Sequence, residues 1–365
     1  MGEMQTADIV VVGAGIAGAS VAAELAPDHR VALLEREARP GLHSTGRSAA
    51  VWEPGYGPPT IRALTRASGQ FLAAGGDVPF LRPRGVLLIA RADQTARLEA
   101  TAVELGDIVE RVDAAELRAR VPLLRDGYAA AGLYGPRAAD LDVDALHQHF
   151  LRRFRAEGGV LHTGAEVTGL ARAGAGWRVE TGAGAFSADV VVNAAGAWAD
   201  ALAALAGVAP VGLMPRRRSA ALIAAPEGVA TAGWPVVADI DEQFYLKPDA
   251  GQLLISPANA DASPPCDAQP EELDIALAVD RIERAFDISV RRIAHKWAGL
   301  RSFVADGEPV AGFAPDAPGF FWLAGQGGYG IQTSPALARV AAALVRGEAS
   351  TFAGEISSWP ASGLS

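Results

Sequence analysis

The sequence predicts a protein of the α/β class, with one mainly parallel sheet and a second, largely antiparallel sheet. Near the start of the chain, an apolar run leads directly into a G-x-G-x-x-G motif that begins at Gly13. Two further apolar runs, at 188–192 and 320–324, each lead into a glycine-containing turn and a helix. Residues 211–256 alternate between apolar and polar positions and contain several turn signals, which is typical of antiparallel strands.

The first of these units has the features of a Rossmann-like dinucleotide site. Gly13 permits a tight turn after the strand, Gly15 lets the backbone approach a pyrophosphate, and Gly18 lets the helix pack closely against the strand. The N-terminus of the helix offers free N–H groups to the phosphates. A second apolar run, 31–34, ends in Glu35, which is placed to accept hydrogen bonds from a ribose diol. A glycine-rich turn that binds no ligand would leave this acid unexplained.

The remaining elements follow from periodicity and capping signals. Asp93 is expected to cap its helix, and Asp113-x-x-Glu116 is expected to form a capping box that opens a short helix. Apolar spacing predicts helices at 60–74, 93–105, 144–156, 271–286 and 334–345, with strands at 85–90 and 289–300.

These elements predict a discontinuous nucleotide-binding domain formed by residues 1–52, 141–210 and 296–350. Residues 53–140 and 211–295 are expected to form a second, substrate-binding domain. A second layer over the carboxyl edge of a parallel sheet creates a cleft, and ligands bind at this edge in such folds. The functional site is therefore expected in that cleft.

Composition and charge argue against several classes of function. The chain has 365 residues, enough for about two domains, and a net charge of −10, which disfavours a general nucleic-acid or anionic-membrane surface. Neither a secretory signal nor an apolar stretch long enough to span a bilayer is found, so we expect a cytoplasmic protein. The single cysteine, Cys266, excludes an internal disulfide framework and a cysteine metal cluster. His147 and His149 do not face each other on a helix, and no metal site is expected.

One local basic run, Arg216 to Arg218, stands out in this acidic chain. We interpret two of its three arginines as part of a solvated strand end. The third could point inward at an anionic ligand.

Four motifs together resemble one known family. They are the N-terminal fingerprint, the loop H-S-T-G-R-S-A-A at 43–50, the turn N-A-A-G-A-W at 193–198, and G-Q-G-G-Y-G at 325–330. They look like the D-amino-acid oxidase family of FAD-dependent amine oxidoreductases, which includes sarcosine oxidases, glycine oxidases and D-amino-acid dehydrogenases. The likeness runs almost end to end and is greatest to the bacterial D-arginine dehydrogenases. It is densest at 139–148, 244–250, 256–261 and 297–307.

The resemblance implies a Rossmann-like FAD-binding domain of the glutathione-reductase type, joined to an antiparallel substrate domain. Because Cys266 lies outside any flavin motif, non-covalent FAD is expected. The residues assigned to FAD are Gly13, Ala14, Gly15, Ile16, Ala17, Gly18, Glu35, Arg36, Ser44, Thr45, Arg47, Ser48, Ala49, Ala50, Val167, Ala195, Gly196, Trp198, Gly299, Arg301, Gly327, Gly328, Tyr329, Gly330, Ile331, Gln332 and Thr333.

The implied reaction is oxidative deamination of a D-amino acid. A hydride passes from Cα to flavin N5, and the imine hydrolyses to a 2-oxo acid and ammonia. Arg301 matches the arginine that binds the substrate carboxylate, for which a guanidinium offers a bidentate fork. Arg218 matches a second active-site arginine, and Tyr56 and Tyr245 match substrate-positioning tyrosines. The Gly328 carbonyl and Gln332 match positions near the substrate amino group.

The chain departs from the D-arginine dehydrogenases at two pocket positions. Val51 stands where they have a histidine, and Gly85 stands where they have the acid that pairs with a basic side chain. Loss of a charge-assisted contact costs roughly 1.5–3 kcal/mol, so a weakened preference for D-Arg and D-Lys is expected. Glu53 could compensate if it points into the pocket, but an exposed loop acid is the interpretation we favour.

A third feature concerns the electron acceptor. Oxidases of the family place a lysine near the flavin to activate oxygen, and Leu254 stands at about that position here. The resemblance therefore favours a dehydrogenase that passes electrons to a quinone or another carrier.

Several alternatives stay open at this point. An N-methyl amino acid, a cyclic imino acid or a 2-hydroxy acid would present the same carboxylate to Arg301. A flavin-binding accessory protein without turnover is a different class, and the match at both arginines and both tyrosines argues against it. A flavoprotein that modifies RNA is disfavoured by the acidic composition. The oligomeric state is not indicated.

Overall fold

The computed structural model describes residues 4–349. The helices are α1 Ile16–Leu25, α2 Pro59–Ala74, α3 Thr95–Leu105, α4 Ala114–Arg120, α5 Val143–Ala156, α6 Ala199–Leu205, α7 Glu272–Ala285 and α8 Gly330–Val345. The strands are β1 Gln5–Thr6, β2 Ile9–Val12, β3 Val31–Leu34, β4 Val51–Trp52, β5 Leu81–Pro83, β6 Val86–Ala90, β7 Glu110–Asp113, β8 Ala131–Gly135, β9 Ala139–Leu141, β10 Val160–His162, β11 Val167–Ala173, β12 Gly176–Thr181, β13 Gly184–Ala188, β14 Val190–Asn193, β15 Met214–Ala224, β16 Val236–Asp239, β17 Tyr245–Asp249, β18 Gln252–Ser256, β19 Asp261–Ala262, β20 Ile293–Phe303, β21 Val310–Phe313 and β22 Phe320–Ala324.

The predicted parallel sheet is present, with strand order β10-β3-β2-β14-β22-β21. Its strands are parallel except at the β21–β22 edge. Every residue of β2 and β3 is buried, because layers cover both faces of the sheet. Strands of this kind read as continuous apolar runs, which is how they were recognised in the sequence.

The two layers over the parallel sheet differ in kind. On one side, α1, α5 and α8 share a core cluster that contains Leu25, Phe150 and Leu337. On the other side, the meander β11–β13 contributes Trp177 and Phe186 to a second cluster, together with α6, and β1 pairs with the edge of this meander. The strands of the parallel sheet come from three separate parts of the chain, which supports the proposed discontinuous domain.

The second sheet is mostly antiparallel, as predicted, and α7 packs on it. Its longest pairing joins β15 to β20, from Met214 opposite Phe303 to Ile223 opposite Ile293. The β16–β6 pair is parallel, which the alternating sequence pattern did not indicate. An isolated bridge pairs Ser302 of β20 with Gly327, just after β22, so the segment around Arg301 lies near the parallel sheet.

Two predicted helix starts differ from the structure. Asp93 lies within a 3-10 turn, Ala92–Gln94, and α3 begins after it at Thr95; the side chain of Gln94 binds the backbone N–H of Arg91 at 2.8 Å. α8 begins at Gly330, four residues before the predicted start at 334, because the glycine turn passes directly into the helix. The capping box is confirmed, since the Asp113 side chain accepts from the N–H of Glu116 at 2.9 Å and the Glu116 side chain accepts from the N–H of Asp113 at 2.9 Å.

No helix within residues 4–349 combines the length and the apolar character that crossing a membrane would require.

Candidate active site

A cavity of about 410 Å³ lies at the carboxyl ends of the parallel strands. Its walls include Val12 and Leu34, the last residues of β2 and β3, and the turn after β14 that begins at Ala194. From there it extends to Arg301 on β20. We call this the first cavity.

Most of the predicted cofactor residues line the first cavity. They are Gly13, Gly15, Ile16, Ala17, Glu35, Arg36, Ser44, Thr45, Arg47, Ser48, Ala49, Val167, Ala195, Gly196, Trp198, Gly299, Arg301, Gly327, Gly328, Gly330 and Ile331. Ala50, Tyr329 and Gln332 line an adjoining cavity instead. Ala14, Gly18 and Thr333 line neither cavity.

The glycine turn is held tightly between two strands. Gly13 has a φ of +101°, and a Cβ there would lie 2.4 Å from the carbonyl oxygen of Ala194. A Cβ at Gly18 would lie 1.8 Å from the carbonyl oxygen of Gly13. Both positions therefore require glycine, and their role is to bring the start of α1 close to the sheet edge.

Glu35 is buried and its carboxylate is oriented by backbone groups. Its Oε2 accepts from the N–H of Ala14 at 3.0 Å, and its Oε1 accepts from the N–H of Glu37 at 3.0 Å. Each carboxylate oxygen has a further lone pair, so Glu35 can still accept from a ligand hydroxyl in the cavity it lines.

The loop at 43–50 joins the two sheets across the first cavity. Thr45 Oγ1 accepts from the N–H of Ile16 at 3.0 Å, which ties the loop to the N-terminus of α1. Its neighbours in the loop bind β20: Ser44 Oγ donates to the Leu300 carbonyl at 2.7 Å, and Arg47 Nη1 donates to the Ala298 carbonyl at 3.1 Å. The loop therefore fixes β20 relative to the nucleotide turn.

A second cavity, of about 420 Å³, adjoins the first. The two share Ser48, Ala49, Arg218, Tyr245, Arg301, Gly328 and Ile331 in their walls. The second cavity extends from this junction along apolar residues of the mixed sheet, such as Val86 and Leu88, to the C-terminal end of α3.

Two arginines meet at the junction of the cavities. Arg301 Nη1 donates to the Tyr56 hydroxyl at 3.4 Å. Arg218 Nε is buried and has no hydrogen-bond partner within residues 4–349. Burial lowers the pKa of Arg218, and the positive charge of Arg301 lowers it further. Two neighbouring cations with unused donors favour an anionic ligand, and a carboxylate matches their geometry.

The three arginines of the basic run have different environments. Arg216 is exposed, and Arg217 forms an ion pair with Asp274 at 3.3 Å. Only Arg218 of this run lines the cavities. The structure thus agrees with the interpretation that one of the three points inward.

Aromatic and amide groups complete the junction. The rings of Tyr56 and Tyr329 are in edge contact at 4.9 Å, and burial raises the pKa of Tyr329, so its hydroxyl stays protonated at neutral pH. A Cβ at Gly328 would lie 3.0 Å from Arg301 Cζ, so this glycine allows the backbone to approach the guanidinium. Gln332 Oε1 accepts from the N–H of Glu53 at 3.0 Å, while its Nε2 is buried without a partner in the described part of the chain.

Two expectations about the substrate pocket need correction. Gly85 lines neither cavity, because a Cβ there would point at Tyr134, 2.7 Å from its hydroxyl oxygen. Glu53 is not an exposed loop acid: it lines the second cavity and its Oε2 is buried. Val51 lines the second cavity, and its place in a substrate pocket stays a prediction.

Several residues that line the cavities have no role assigned from the sequence. His43 and Trp297 line the first cavity, and both lie within motifs that were quoted for the resemblance but were not assigned a role. Leu105 and Val236 line the second cavity and carry no recognisable motif. Apolar pocket walls resemble any other buried side chains in a sequence, so only the fold reveals them.

The site combines a nucleotide turn with a long cavity, and this cavity meets a second cavity at two arginines. Such a combination defines a flavin-dependent oxidoreductase. Residues 8–344 match the profile of the family described as FAD dependent oxidoreductase (DAO), and the chain belongs to this family.

Relatives of known activity lie in the same family. The chain is 26% identical over 369 residues to glycine oxidase of Geobacillus kaustophilus, covering 94% of both proteins. It is 30% identical over 223 residues to L-2-hydroxyglutarate dehydrogenase of Escherichia coli K12, covering 56% of this chain and 50% of that protein.

Solved structures show the same fold. The crystal structure of glycine oxidase from Geobacillus kaustophilus aligns with a TM-score of 0.83 and 23% identity, covering 96% of this chain and 97% of that one. L-α-glycerophosphate oxidase from Mycoplasma pneumoniae with FAD bound aligns with a TM-score of 0.86 and 18% identity, covering 94% and 95%.

FAD is the cofactor of this protein, and the residues of the first cavity fit it. Gly13 and Gly15 line this cavity at the N-terminus of α1, where backbone N–H groups can bind a pyrophosphate, and Glu35, which accepts from the N–H of Ala14, can also accept from a ribose. The cavity then continues to Gly328 and Arg301, where it meets the second cavity. The redox-active end of the cofactor would lie at that junction.

We predict that the FAD is held without a covalent bond. Cys266 lines neither cavity, and its Sγ lies 3.6 Å from Ser263 Oγ. Acid precipitation of the holoenzyme should release intact FAD into the supernatant, measured by absorbance and chromatography. Flavin that stays on the denatured protein would contradict this expectation.

Proposed function

We propose that the protein catalyses FAD-dependent oxidative deamination of D-amino acids, giving 2-oxo acids and ammonia. Its range of side chains is broad, with a weakened preference for D-Arg and D-Lys. The observation that carries the proposal is the meeting of Arg218 and Arg301 where the two cavities join. The preference for the D enantiomer rests on the likeness of four sequence stretches, 139–148, 244–250, 256–261 and 297–307, to the D-arginine dehydrogenases.

In this proposal the arginines fix the carboxylate end of the substrate. Arg301 is oriented by its hydrogen bond to Tyr56, and Arg218 Nε has no partner among the residues that the structure describes. A bidentate arginine restricts both the position and the rotation of a carboxylate, so Cα is held at the junction. FAD, when bound, supplies the hydride acceptor on the other side of that junction.

The amino group of the substrate would face Gly328 and Gln332. The Gln332 amide is oriented through its Oε1, which the N–H of Glu53 binds at 3.0 Å. A carbonyl oxygen such as that of Gly328 accepts a hydrogen bond from an amine, and this would hold the amine in one direction. The apolar wall formed by Val86, Leu88 and Val236 would exclude water from the side chain.

Electron transfer to a quinone or another carrier, rather than to oxygen, is part of the proposal. Lys247 lines only the second cavity, where it pairs with Asp140 at 3.2 Å, and Lys296 pairs with Glu272 outside both cavities. Leu254 lines neither cavity. Neither Lys247 nor Lys296 therefore offers a free ammonium group to the first cavity.

The test is anaerobic bleaching of the visible flavin band. We expect D-amino acids to reduce the holoenzyme rapidly, and their L-enantiomers, sarcosine and 2-hydroxyglutarate to do so slowly or not at all. Slow reoxidation by air and fast reoxidation by a soluble quinone would support the dehydrogenase assignment. Bleaching by L-enantiomers or by sarcosine alone would refute the substrate assignment.

A second candidate is oxidation of a 2-hydroxy acid. It is favoured by the 30% identity to L-2-hydroxyglutarate dehydrogenase, although that match covers only 56% of this chain. A 2-hydroxy acid would present the same carboxylate to Arg301. Bleaching by 2-hydroxyglutarate but not by amino acids would select this candidate.

A further inference from the structure

Glu53 and Tyr56 stand at the two ends of one turn. The N–H of Tyr56 donates to the Glu53 carbonyl at 3.1 Å, so the two Cα atoms of this four-residue turn are within about 7 Å of each other. Tyr56 contacts Arg301 at the junction of the cavities, and Glu53 lines the second cavity beyond it. A substrate held by its carboxylate at Arg301 would therefore extend its side chain along the turn towards Glu53.

The carboxyl group of Glu53 has an incomplete set of partners. Oε1 accepts from the N–H of Gly55 at 2.8 Å, which fixes the direction of the group. Oε2 is buried and has no hydrogen-bond partner within residues 4–349. Leu105 and Val109, which line the same cavity, are apolar and cannot supply one. A buried carboxyl oxygen without a donor is costly, and a ligand with a donor would relieve that cost.

The neighbouring charges do not neutralise this carboxyl group directly. Arg137, in the turn after β8, attracts Glu53 through space but donates its hydrogen bond to the Asp107 carbonyl at 3.4 Å. On the helical side of the cavity, Glu104 of α3 pairs with Arg62 of α2 at 2.8 Å, and Arg97 also lines the wall.

The charges on the sheet side also have other partners. Lys247 pairs with Asp140 at 3.2 Å, and Asp239 pairs with Arg91 at 3.1 Å. Glu242 lines the cavity from the turn between β16 and β17 and is exposed. Glu53 is thus a buried acid in this cavity whose second oxygen is left for a ligand.

We propose that Glu53 sets the side-chain specificity of the second cavity. As a carboxylate it binds the ammonium or guanidinium end of a basic side chain, and as the protonated acid it leaves a neutral pocket that favours an apolar side chain. The inference rests on the proposed function in taking the substrate to be an amino acid held by its carboxylate at Arg301.

This assignment makes the substrate preference depend on pH. Burial raises the pKa of Glu53 to about 7, against the opposing effects of the Gly55 hydrogen bond and the charge of Arg137. Because the pKa of this acid is raised, the protonated form predominates below it and the carboxylate above it. The preference for basic side chains should therefore increase as the pH rises through neutrality.

The test compares D-lysine with D-norleucine, which resembles it but lacks the terminal ammonium. The side-chain ammonium of D-lysine stays charged over the pH range of the test, since its pKa is about 10.4. We expect the ratio of their kcat/KM values to rise about tenfold or more between about pH 5.5 and about pH 8.5 in the native holoenzyme. Titration of the α-amino group and of the shared site cancels in this ratio.

Three variants identify the group that makes the kcat/KM ratio depend on pH. Glu53→Gln should give a low ratio that does not change with pH, and Glu53→Asp should restore part of the rise. Glu242→Gln, which changes an exposed acid of the same cavity, should keep the full rise. A flat ratio in the native enzyme, or an unchanged rise in Glu53→Gln, would overturn the assignment.

A binding experiment separates this inference from the proposed reaction. 6-Aminohexanoate and hexanoate carry the carboxylate with and without a terminal ammonium, and neither has an α-amino group to be oxidised. Their dissociation constants, measured from the change in the flavin spectrum, should show the same pH-dependent ratio and the same loss in Glu53→Gln. If this holds while D-amino acids fail to bleach the flavin, the proposed reaction is wrong and the role of Glu53 stands. If D-amino acids bleach the flavin and both ratios stay flat, the role of Glu53 is wrong.

Discussion

Replacement of Arg301 by leucine is expected to lower kcat/KM for the best D-amino acid by about 10²- to 10⁴-fold. Two charge-assisted hydrogen bonds to the substrate carboxylate would be lost, each worth roughly 1.5–3 kcal/mol, and every 1.36 kcal/mol corresponds to a tenfold change. Lysine at this position keeps the charge but not the planar fork, so Arg301→Lys should recover only part of the loss. The measurement is steady-state kinetics with an artificial electron acceptor.

Arg216 provides a matched control for this variant. It stands directly opposite Arg301 in the β15–β20 pairing, but it is exposed and lines neither cavity. Arg216→Leu should leave kcat/KM within about twofold of the native value, since surface substitutions have small effects. Because Arg301 also lines the first cavity, the FAD content of each variant must be measured. Native kcat/KM in an FAD-replete Arg301→Leu enzyme would show that the carboxylate binds elsewhere.

Replacement of Gly13 by alanine is expected to abolish stable binding of FAD. The new Cβ would lie 2.4 Å from the Ala194 carbonyl oxygen, and the φ of +101° is one that L side chains rarely adopt. Strain and overpacking each cost about 1–3 kcal/mol, which together weaken binding by roughly 30- to 10⁴-fold if the turn shifts to relieve them. The ratio of flavin to protein absorbance after gel filtration measures the effect.

Gly312 is the control glycine for this experiment. It lies on β21 of the same sheet, and a Cβ there would have no heavy atom within 4 Å. Gly312→Ala should therefore bind FAD as the native protein does. Circular dichroism distinguishes loss of the cofactor from loss of the fold. Full FAD content in folded Gly13→Ala would show that the turn does not position the pyrophosphate.

The sequence was most informative for structural features that depend only on residues adjacent in the chain. The strand, the turn and the start of α1 depend on the backbone freedom of glycine and on continuous apolar runs, and both can be read directly from neighbouring residues. The capping box at Asp113 and Glu116 is local for the same reason, and the structure confirms it. Asp93 does not cap its helix as the sequence predicted. Its neighbour Gln94 accepts from the Arg91 backbone N–H and donates to the buried Asp239.

Pocket positions were less predictable because they depend on residues that are distant in the chain. Gly85 was expected in the substrate pocket because the D-arginine dehydrogenases have an acid at the matching position. The packing of Tyr134 decides where a side chain at position 85 would point. Glu53 looks like a loop acid among its neighbours Trp52 and Pro54. Its burial results from contact with α8, through Gln332, and from the apolar residues at the end of α3.

The sequence by itself determined the class of fold and the nucleotide turn, because both depend on short-range backbone sterics and on contiguous apolar runs. The resemblance of contiguous motifs to one family added the FAD cofactor, and the role of Arg301 stays a prediction. Only the tertiary structure decided that Arg218 and Arg301 meet, that the Glu53 carboxyl group lies in the wall of the second cavity with its Oε2 buried, and that Gly85 lines neither cavity. The physical reason is that burial and electrostatic coupling are properties of neighbours in space. Those neighbours come from β15, β20, α3, α8 and the loop before α2, which are far apart in sequence.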